Sequence, residues 1–216
     1  TNTLGSDATL TSTGGDDGSG SQHAVVYTDF AKPLEAMVAV GGHGVAGVPV
    51  TFTAPSSGAS GTFPENRTSE TVYTGADGIA KSDTFTANGA VGGPYDVTAT
   101  VAGITGQALS SLTNTLGSDA TLTSTGGDDG HGAQHAVVYT DFARPLEATV
   151  TDGNGHPVAG VPITFTAPTT GAGGTFPGNH TSETVYTDST GLATSQTFTA
   201  NGTVGAYDVT ITAAGI

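Results

Sequence analysis

Two pairs of adjacent carboxylates, Asp16-Asp17 and Asp128-Asp129, lie in glycine-rich turns at equivalent places of a duplicated sequence. Oxygen-rich turns of this kind can hold a hard cation. Ca²⁺ takes about six to eight oxygen ligands, several of them backbone carbonyls or water, so calcium at Asp16, Asp17, Asp128 and Asp129 is the candidate metal site and the candidate cofactor. Asp29 and Asp141, and Asp7 and Asp119, repeat with the same spacing. No run has the pattern of an EF-hand or of a nonapeptide calcium repeat, so the signal is compositional. The other reading is a set of solvated turn aspartates that cap their own backbone.

Other chemistry-bearing spacings lack their context. His131 and His135 have the i, i+4 spacing that binds zinc on a helix face, but Gly130 and Gly132 argue against a helix and copy one has Ser19 at the first position. Gly42-His43-Gly44-Val45-Ala46-Gly47 spells a dinucleotide fingerprint, which needs a following helix N-terminus. A strand containing Pro49 follows instead, and copy two puts Pro157 where copy one has Gly44. No GxSxG elbow occurs, and Glu35 with Glu70, or Glu147 with Glu183, would need a deep cleft for paired-acid glycosidase work. The chain is therefore expected not to be an enzyme. Asn66-Arg67-Thr68, Asn179-His180-Thr181 and Asn201-Gly202-Thr203 are glycosylation acceptors by spelling only.

These turns belong to one unit written twice. Thr1 to Gly18 returns letter for letter at Thr113 to Gly130, and the register holds almost to the end apart from two cancelling one-residue indels. A period this long fits a whole small domain rather than a solenoid repeat. The expected domains are residues 1–112 and 113–216. Of the 216 residues 34 are Gly, 35% are hydrophobic and only 11% are charged, a folded and β-prone composition rather than a disordered one. Four basic residues face 19 acidic ones, net charge −15, about −7 before residue 113 and −8 after it. Such a surface is a poor partner for nucleic acid or an anionic membrane. The absence of cysteine removes disulfides and zinc–thiolate sites and suits export in an unfolded state. No signal peptide or membrane span is evident, and a start at Thr1 without Met reads as an excised fragment.

Period-two alternation sets the class. Tyr95, Val97, Ala99 and Val101 share one face of a strand, as do Leu34, Ala36, Val38 and Val40, and Val48, Val50, Phe52 and Ala54. Copy two replaces Met37 and Ala39 by Thr149 and Thr151, which points Met37 at solvent. Glycine-rich turns separate about seven or eight short strands per copy, and Pro33 interrupts the one stretch that could read as a helix. Pro33 and Pro49 should stand at edges or at a strand switch. The expected fold is all-β, two tandem Greek-key β-sandwiches arranged end to end. Thr105 to Leu112 reads as the last strand of copy one; copy two stops at Ile216, the equivalent of Ile104, and its last strand is absent.

The ordered motifs Gly47 to Pro55 with Gly160 to Pro168, Gly58 to Phe63 with Gly171 to Phe176, Thr74 to Ala80 with Thr187 to Ala193, Phe85 to Asn88 with Phe198 to Asn201, and Tyr95 to Gly103 with Tyr207 to Gly215 cover both copies. In this order the chain resembles the bacterial immunoglobulin-like domains of the invasin and intimin type, found in long surface adhesins. The resemblance implies a stalk or spacer module, extracellular on a bacterial surface or secreted, monomeric, with neighbouring repeats of the same sequence as its partners. Some members of that family contact a receptor, so a receptor or glycan bound at loop ends, through Tyr27, Tyr73, Tyr139 or Tyr186, is the alternative, with or without calcium-stabilised junctions.

Overall fold

The computed structural model describes residues 4–14, 21–127 and 133–216. It divides into two units, Thr1–Thr115 and Leu116–Ile216. Unit one contains β1 (Ala8–Gly14), β2 (Gln22–Val25), β3 (Glu35–Val40), β4 (His43–Gly44), β5 (Pro49–Thr53), β6 (Gly61–Thr62), β7 (Ser69–Tyr73), β8 (Ile79–Lys81), β9 (Thr86–Ala87), β10 (Gly92–Thr100) and β11 (Ala108–Thr115). Its one helical element among the described residues is the 3₁₀ turn Pro64–Asn66.

One sheet has the order β1-β3-β4 with β8 also on β3, and the other the order β2-β11-β10-β5-β7. The first strand is thus split: β1 pairs antiparallel with β3, whereas β2 has crossed to the opposite sheet and runs parallel to the last strand, Gln22 opposite Leu112 and Val25 opposite Thr115. Pro33 lies outside any strand, in the segment that returns from β2 to β3, where no ladder donor is missed. Pro49 is tolerated inside the second sheet because it is the first residue of β5. The crossings from β3 to β5, β7 to β8 and β8 to β10, closed by the β10–β11 hairpin, give an all-β, immunoglobulin-like Greek key.

Alternation puts one face of each strand into the space between the sheets. Leu34, Val38, Val50, Phe52, Val97 and Leu112 have no exposed surface, and complete burial of such side chains stabilises by about 1.5–3 kcal/mol each before conformational entropy is subtracted. Phe85 packs at one end of this core against Phe30 and Phe63, ring centroids 5.8 and 4.9 Å away. Gly61 lies so close to that ring that a Cβ there would meet the Phe85 Cζ at 2.8 Å. At the end of β3 the alternation slips: Ala39 is buried, Val40 half-buried, and Met37 half-buried rather than solvent-facing. Met37 lies between Thr11 of β1 and Ile79 of β8, and those neighbouring strands cover part of it.

Unit two repeats the plan with β12 (Thr121–Gly126), β13 (Glu147–Thr151), β14 (Pro162–Thr166), β15 (Gly174–Thr175), β16 (Ser182–Tyr186), β17 (Leu192–Thr194), β18 (Thr199–Ala200) and β19 (Thr210–Ala213). Its sheets are β12-β13-β17 and β16-β14-β19. Val150, Val158, Ile163 and Phe165 are fully buried, and Phe198 stacks between Phe142 and Phe176 at 5.6 and 4.9 Å. In that order β19 stands at an edge of its sheet.

Candidate functional site

Asp16, Asp17, Asp128 and Asp129 lie outside the described residues, and so does His131. Of the described carboxylates, Asp77, Asp152 and Asp188 direct oxygens at their own loops, and Asp29 and Asp141 at a neighbouring strand. Asp77 Oδ1 accepts from the Ile79 N–H at 3.0 Å. Asp188 Oδ1 accepts from the Thr190 N–H, the Thr190 hydroxyl and the Leu192 N–H at 2.8, 2.6 and 3.1 Å, and these bonds, the hydroxyl's first, hold its pKa below the ordinary carboxylate value. Asp29 and Asp141 each accept from a threonine hydroxyl, Thr86 and Thr199, at 2.6 Å. Asp7 and Asp119 sit just before β1 and β12. Among the described residues no three His, Asp or Glu side chains converge as ligands for a metal ion.

Asp152 is the most elaborate of these caps. Its carboxylate accepts from the Asn154 and His156 N–H groups at 2.9 and 2.7 Å and lies 3.0 Å from His156 Nδ1. Partial desolvation pushes its pKa up, but the His156 ring and the two backbone donors outweigh this and leave it lowered. Copy one builds the same connection without a carboxylate. Gly41 and Gly42 take φ of +58° and +81°, a region open to glycine at little cost. The dinucleotide-like run therefore forms the β3–β4 turn and leads into β5, with no helix to receive a phosphate.

The glutamates fall into structural roles. Glu35 forms an ion pair with Lys81 at 2.8 Å. Glu70 is buried, accepts the Asp83 N–H at 2.7 Å and has Arg67 4.0 Å away; its pKa is raised, desolvation being the largest cause. In unit two His180 replaces Arg67, and Glu183 keeps only the backbone donor, from Gln196 at 3.0 Å, while its Oε1 is buried without a partner.

The tyrosines are on the surface. Tyr73, Tyr139 and Tyr186 are 69, 77 and 68% exposed, and Tyr27 41%. Tyr27 and Tyr139 both have φ of +63°, uncommon for a bulky residue, with the hydroxyl end of each ring against Gly89 or Gly202 of the Asn-Gly turns. Tyr73, Gly75, Ala76, Asp77, Ile79 and Lys81 line a surface depression. Copy two has Asp188, Thr190 and Thr194 in place of Gly75, Asp77 and Lys81, so its chemistry is not repeated.

One densely hydrogen-bonded buried residue is one that sequence reasoning passed over. Asn114, 1% exposed, places Nδ2 within 3.0 Å of the Ser60 and Ala90 carbonyls and of Asn88 Oδ1. Its Oδ1 accepts the Tyr95 hydroxyl at 2.8 Å, and burial pushes the Tyr95 pKa up. By sequence Asn114 opens the second repeat; by structure it closes the first unit. The signal was present as alternation, because Ala108, Ser110, Leu112 and Asn114 form one continuous buried face across the repeat boundary.

In unit two the counterpart hydroxyl, Tyr207 Oη, is buried and has no hydrogen-bond partner. The turn around it is otherwise the same. Asn201 Nδ2 donates to the Gly171 carbonyl at 2.9 Å and its Oδ1 accepts the Thr203 N–H at 3.0 Å, as Asn88 does with Gly58 and Ala90 at 2.9 and 3.1 Å.

No family model and no curated protein matches the chain. Among solved structures, the D0–D1 domain of intimin is similar at 19% identity, covering 91% of this chain and 85% of that one, with a TM-score of 0.34. Invasin, described as a bacterial integrin-binding protein, is 21% identical over 96% of this chain, which spans 36% of it, with a TM-score of 0.37. Domains 5–6 of the S-layer protein SbsC are 16% identical over 95% of this chain and 91% of theirs, with a TM-score of 0.28. Intimin and invasin are the proteins whose type the sequence motifs resemble; the fold assignment itself rests on strand order and register.

Proposed function

We propose that this chain is a non-enzymatic spacer segment of a repetitive bacterial surface or secreted adhesin-like protein, in which sandwich modules set the distance of a distal function from the cell. The observation that carries the reading is the duplication itself. The two units are near-identical, the described carboxylates serve caps, ion pairs and core-rim hydrogen bonds within their own unit, and a catalytic site gains little from an adjacent duplicate. Mechanically, the inter-sheet core keeps each module folded. Neighbouring repeats in the same chain are its natural partners. Small-angle scattering of the purified chain tests this: an elongated monomer supports it, whereas a compact particle or a concentration-dependent oligomer counts against it.

Four exposed tyrosines favour a second reading, a module that binds a host receptor or glycan through its loop ends, since binding hot spots are enriched in tyrosine. The positive φ shared by Tyr27 and Tyr139 adds to it, because strained residues cluster at recognition sites. Glycan-array binding, or capture of purified integrin ectodomain, that is lost on Tyr27→Ser with Tyr139→Ser would replace the spacer reading. Calcium at Asp16, Asp17, Asp128 and Asp129 belongs to either version. A cation that binds only the native state at 100 times its dissociation constant adds about 2.7 kcal/mol, so a rise of several degrees in the melting midpoint between EDTA and millimolar Ca²⁺ is the expected sign of occupied sites.

A further inference from the structure

In unit one, β11 fills a slot with two different walls. It runs parallel to β2 on one side and antiparallel to β10 on the other, where Leu112 faces Tyr95, Ser110 faces Val97 and Ala108 faces Ala99. The inserted face is entirely buried: Ala108, Ser110, Leu112 and Asn114 are between 0 and 6% exposed. Both walls exist in unit two. Residues 134–143 repeat residues 22–31 letter for letter, and residues 207–212 repeat 95–100 except that Ala99 becomes Ile211. That enlargement is offset two residues on, where Val101 becomes Ala213, so the apolar volume of the wall is nearly kept.

The walls are nevertheless unlined. Ala24 and Val26 are 7 and 2% exposed, but Ala136 and Val138 are only half-buried. The same holds for Val209 and Ile211 against the buried Val97 and Ala99. Residues 134–137 form no strand, and β19 covers four residues where β10 covers nine. At the closed end the Tyr207 hydroxyl is buried, lacks a partner and stands beside an Asn201 turn already in the geometry that receives Asn114 in unit one. A buried hydroxyl without a partner costs free energy, and an edge strand with an apolar face is a template for another strand.

We propose that unit two is a strand acceptor. The slot between residues 134–138 and 207–211 takes, by β-strand addition, an extended segment with the sequence of Thr105–Thr115, TGQALSSLTNT, in the register that β11 has in unit one. The inserted leucine occupies the place of Leu112 and the inserted asparagine receives the Tyr207 hydroxyl. The occupant is identified by unit one: these eleven residues fill a slot of nearly the same sequence within the same chain.

The test uses the 216-residue chain and a fluorescent synthetic peptide of residues 105–115, read by anisotropy and by hydrogen exchange. Saturable one-to-one binding is expected, with new protection confined to residues 134–138 and 207–213. A peptide with alanine at the position of Asn114 should bind about tenfold more weakly, one buried polar group having lost its bonds, and Tyr207→Phe in the chain should weaken the parent peptide about fivefold. A chain continued beyond Ile216 by the same eleven residues should no longer take up the peptide. The proposal is overturned if binding is absent, if a scrambled peptide binds equally well, if protection falls on unit one, or if the continued chain still binds. Concentration-dependent dimers that protect the same slot without peptide would also overturn it and assign the slot to a second copy of unit two.

Discussion

Unit one and unit two share almost every core residue, yet one is closed by a final strand and the other is not, and the difference reaches well beyond the missing strand. The Gln22 side chain bridges the N–H and carbonyl of Lys32 at 2.9 and 3.0 Å, and Gln134 does the same with Arg144 at 2.8 and 2.9 Å. Local hydrogen bonding is therefore intact on both sides. What fails in unit two is burial: Phe142 and Leu146 are half-buried where Phe30 and Leu34 are buried. In this fold the last strand acts as a lid on the core, and the parallel strand beside it exists only when that lid is present.

The sharpest way to break the comparison is to empty the lid. Leu112→Ala removes a fully buried side chain from the centre of β11 and should cost unit one about 2–5 kcal/mol while leaving unit two unchanged. Urea titration followed through unit-specific amide NMR signals separates the two, as a single transition would not describe a two-domain chain. Equal loss in both units would show that they do not unfold independently.

The polar end of the lid gives a smaller, paired effect. Tyr95→Phe leaves the Asn114 oxygen buried without its donor and should cost unit one about 1–3 kcal/mol. The identical change in copy two, Tyr207→Phe, deletes a hydroxyl that has no partner and should leave unit two unchanged or slightly more stable. A comparable loss from both substitutions would mean that the ring position, not the Asn114 bond, sets the cost.

Much of the fold was legible in the residues because strand alternation is a local signal. Val48, Val50, Phe52 and Ala54 are all buried along β5 and its flanks, and Gly58 to Phe63 recurs because Gly61 must approach the Phe85 ring. Two features were less legible. Asn114 was assigned by its place in the repeat, but the structural unit ends at Thr115, inside the second sequence copy; a period fixes the length of a unit and leaves its phase open. The splitting of the first strand between sheets, β1 to one and β2 to the other, depends on the distant β11, which no local pattern reports. The calcium candidates lie outside the described residues, so legibility there is decided by the titration with Ca²⁺.

A third substitution exploits a difference within the shared core rim. Glu70 has Arg67 beside it, while Glu183 has His180 in the equivalent position and one buried oxygen without a partner. His180→Arg should raise the stability of unit two by about 0.5 kcal/mol, the size expected of a partly exposed ion pair, with no change in unit one. If Arg67→His leaves unit one unaffected, the arginine contributes nothing and the gain in unit two is not expected either.

The smallest expected effect is a divergence with pH. Asp152 and Asp188 in unit two have folded-state pKa values below their unfolded value of 3.8, so the stability they supply is complete above that value and is lost as pH falls through the depressed folded values. Copy one has no carboxylate at either equivalent position, Val40 and Gly75 standing there. Glu70 in unit one works in the opposite sense, its folded pKa lying above the unfolded value of 4.5: protonation is easier in the folded state, so unit one gains as pH falls through the raised value toward 4.5. Midpoints measured for each unit between pH 7 and pH 3 should therefore separate on acidification, unit one first rising relative to unit two and unit two then falling below pH 4. Asp152→Asn should flatten the lower limb for unit two alone, because it removes the carboxylate that His156 and the turn amides stabilise. Parallel curves in the parent chain would mean that turn capping at these two aspartates is matched in the unfolded chain, and that the strand lid accounts for the difference between the units without help from charge.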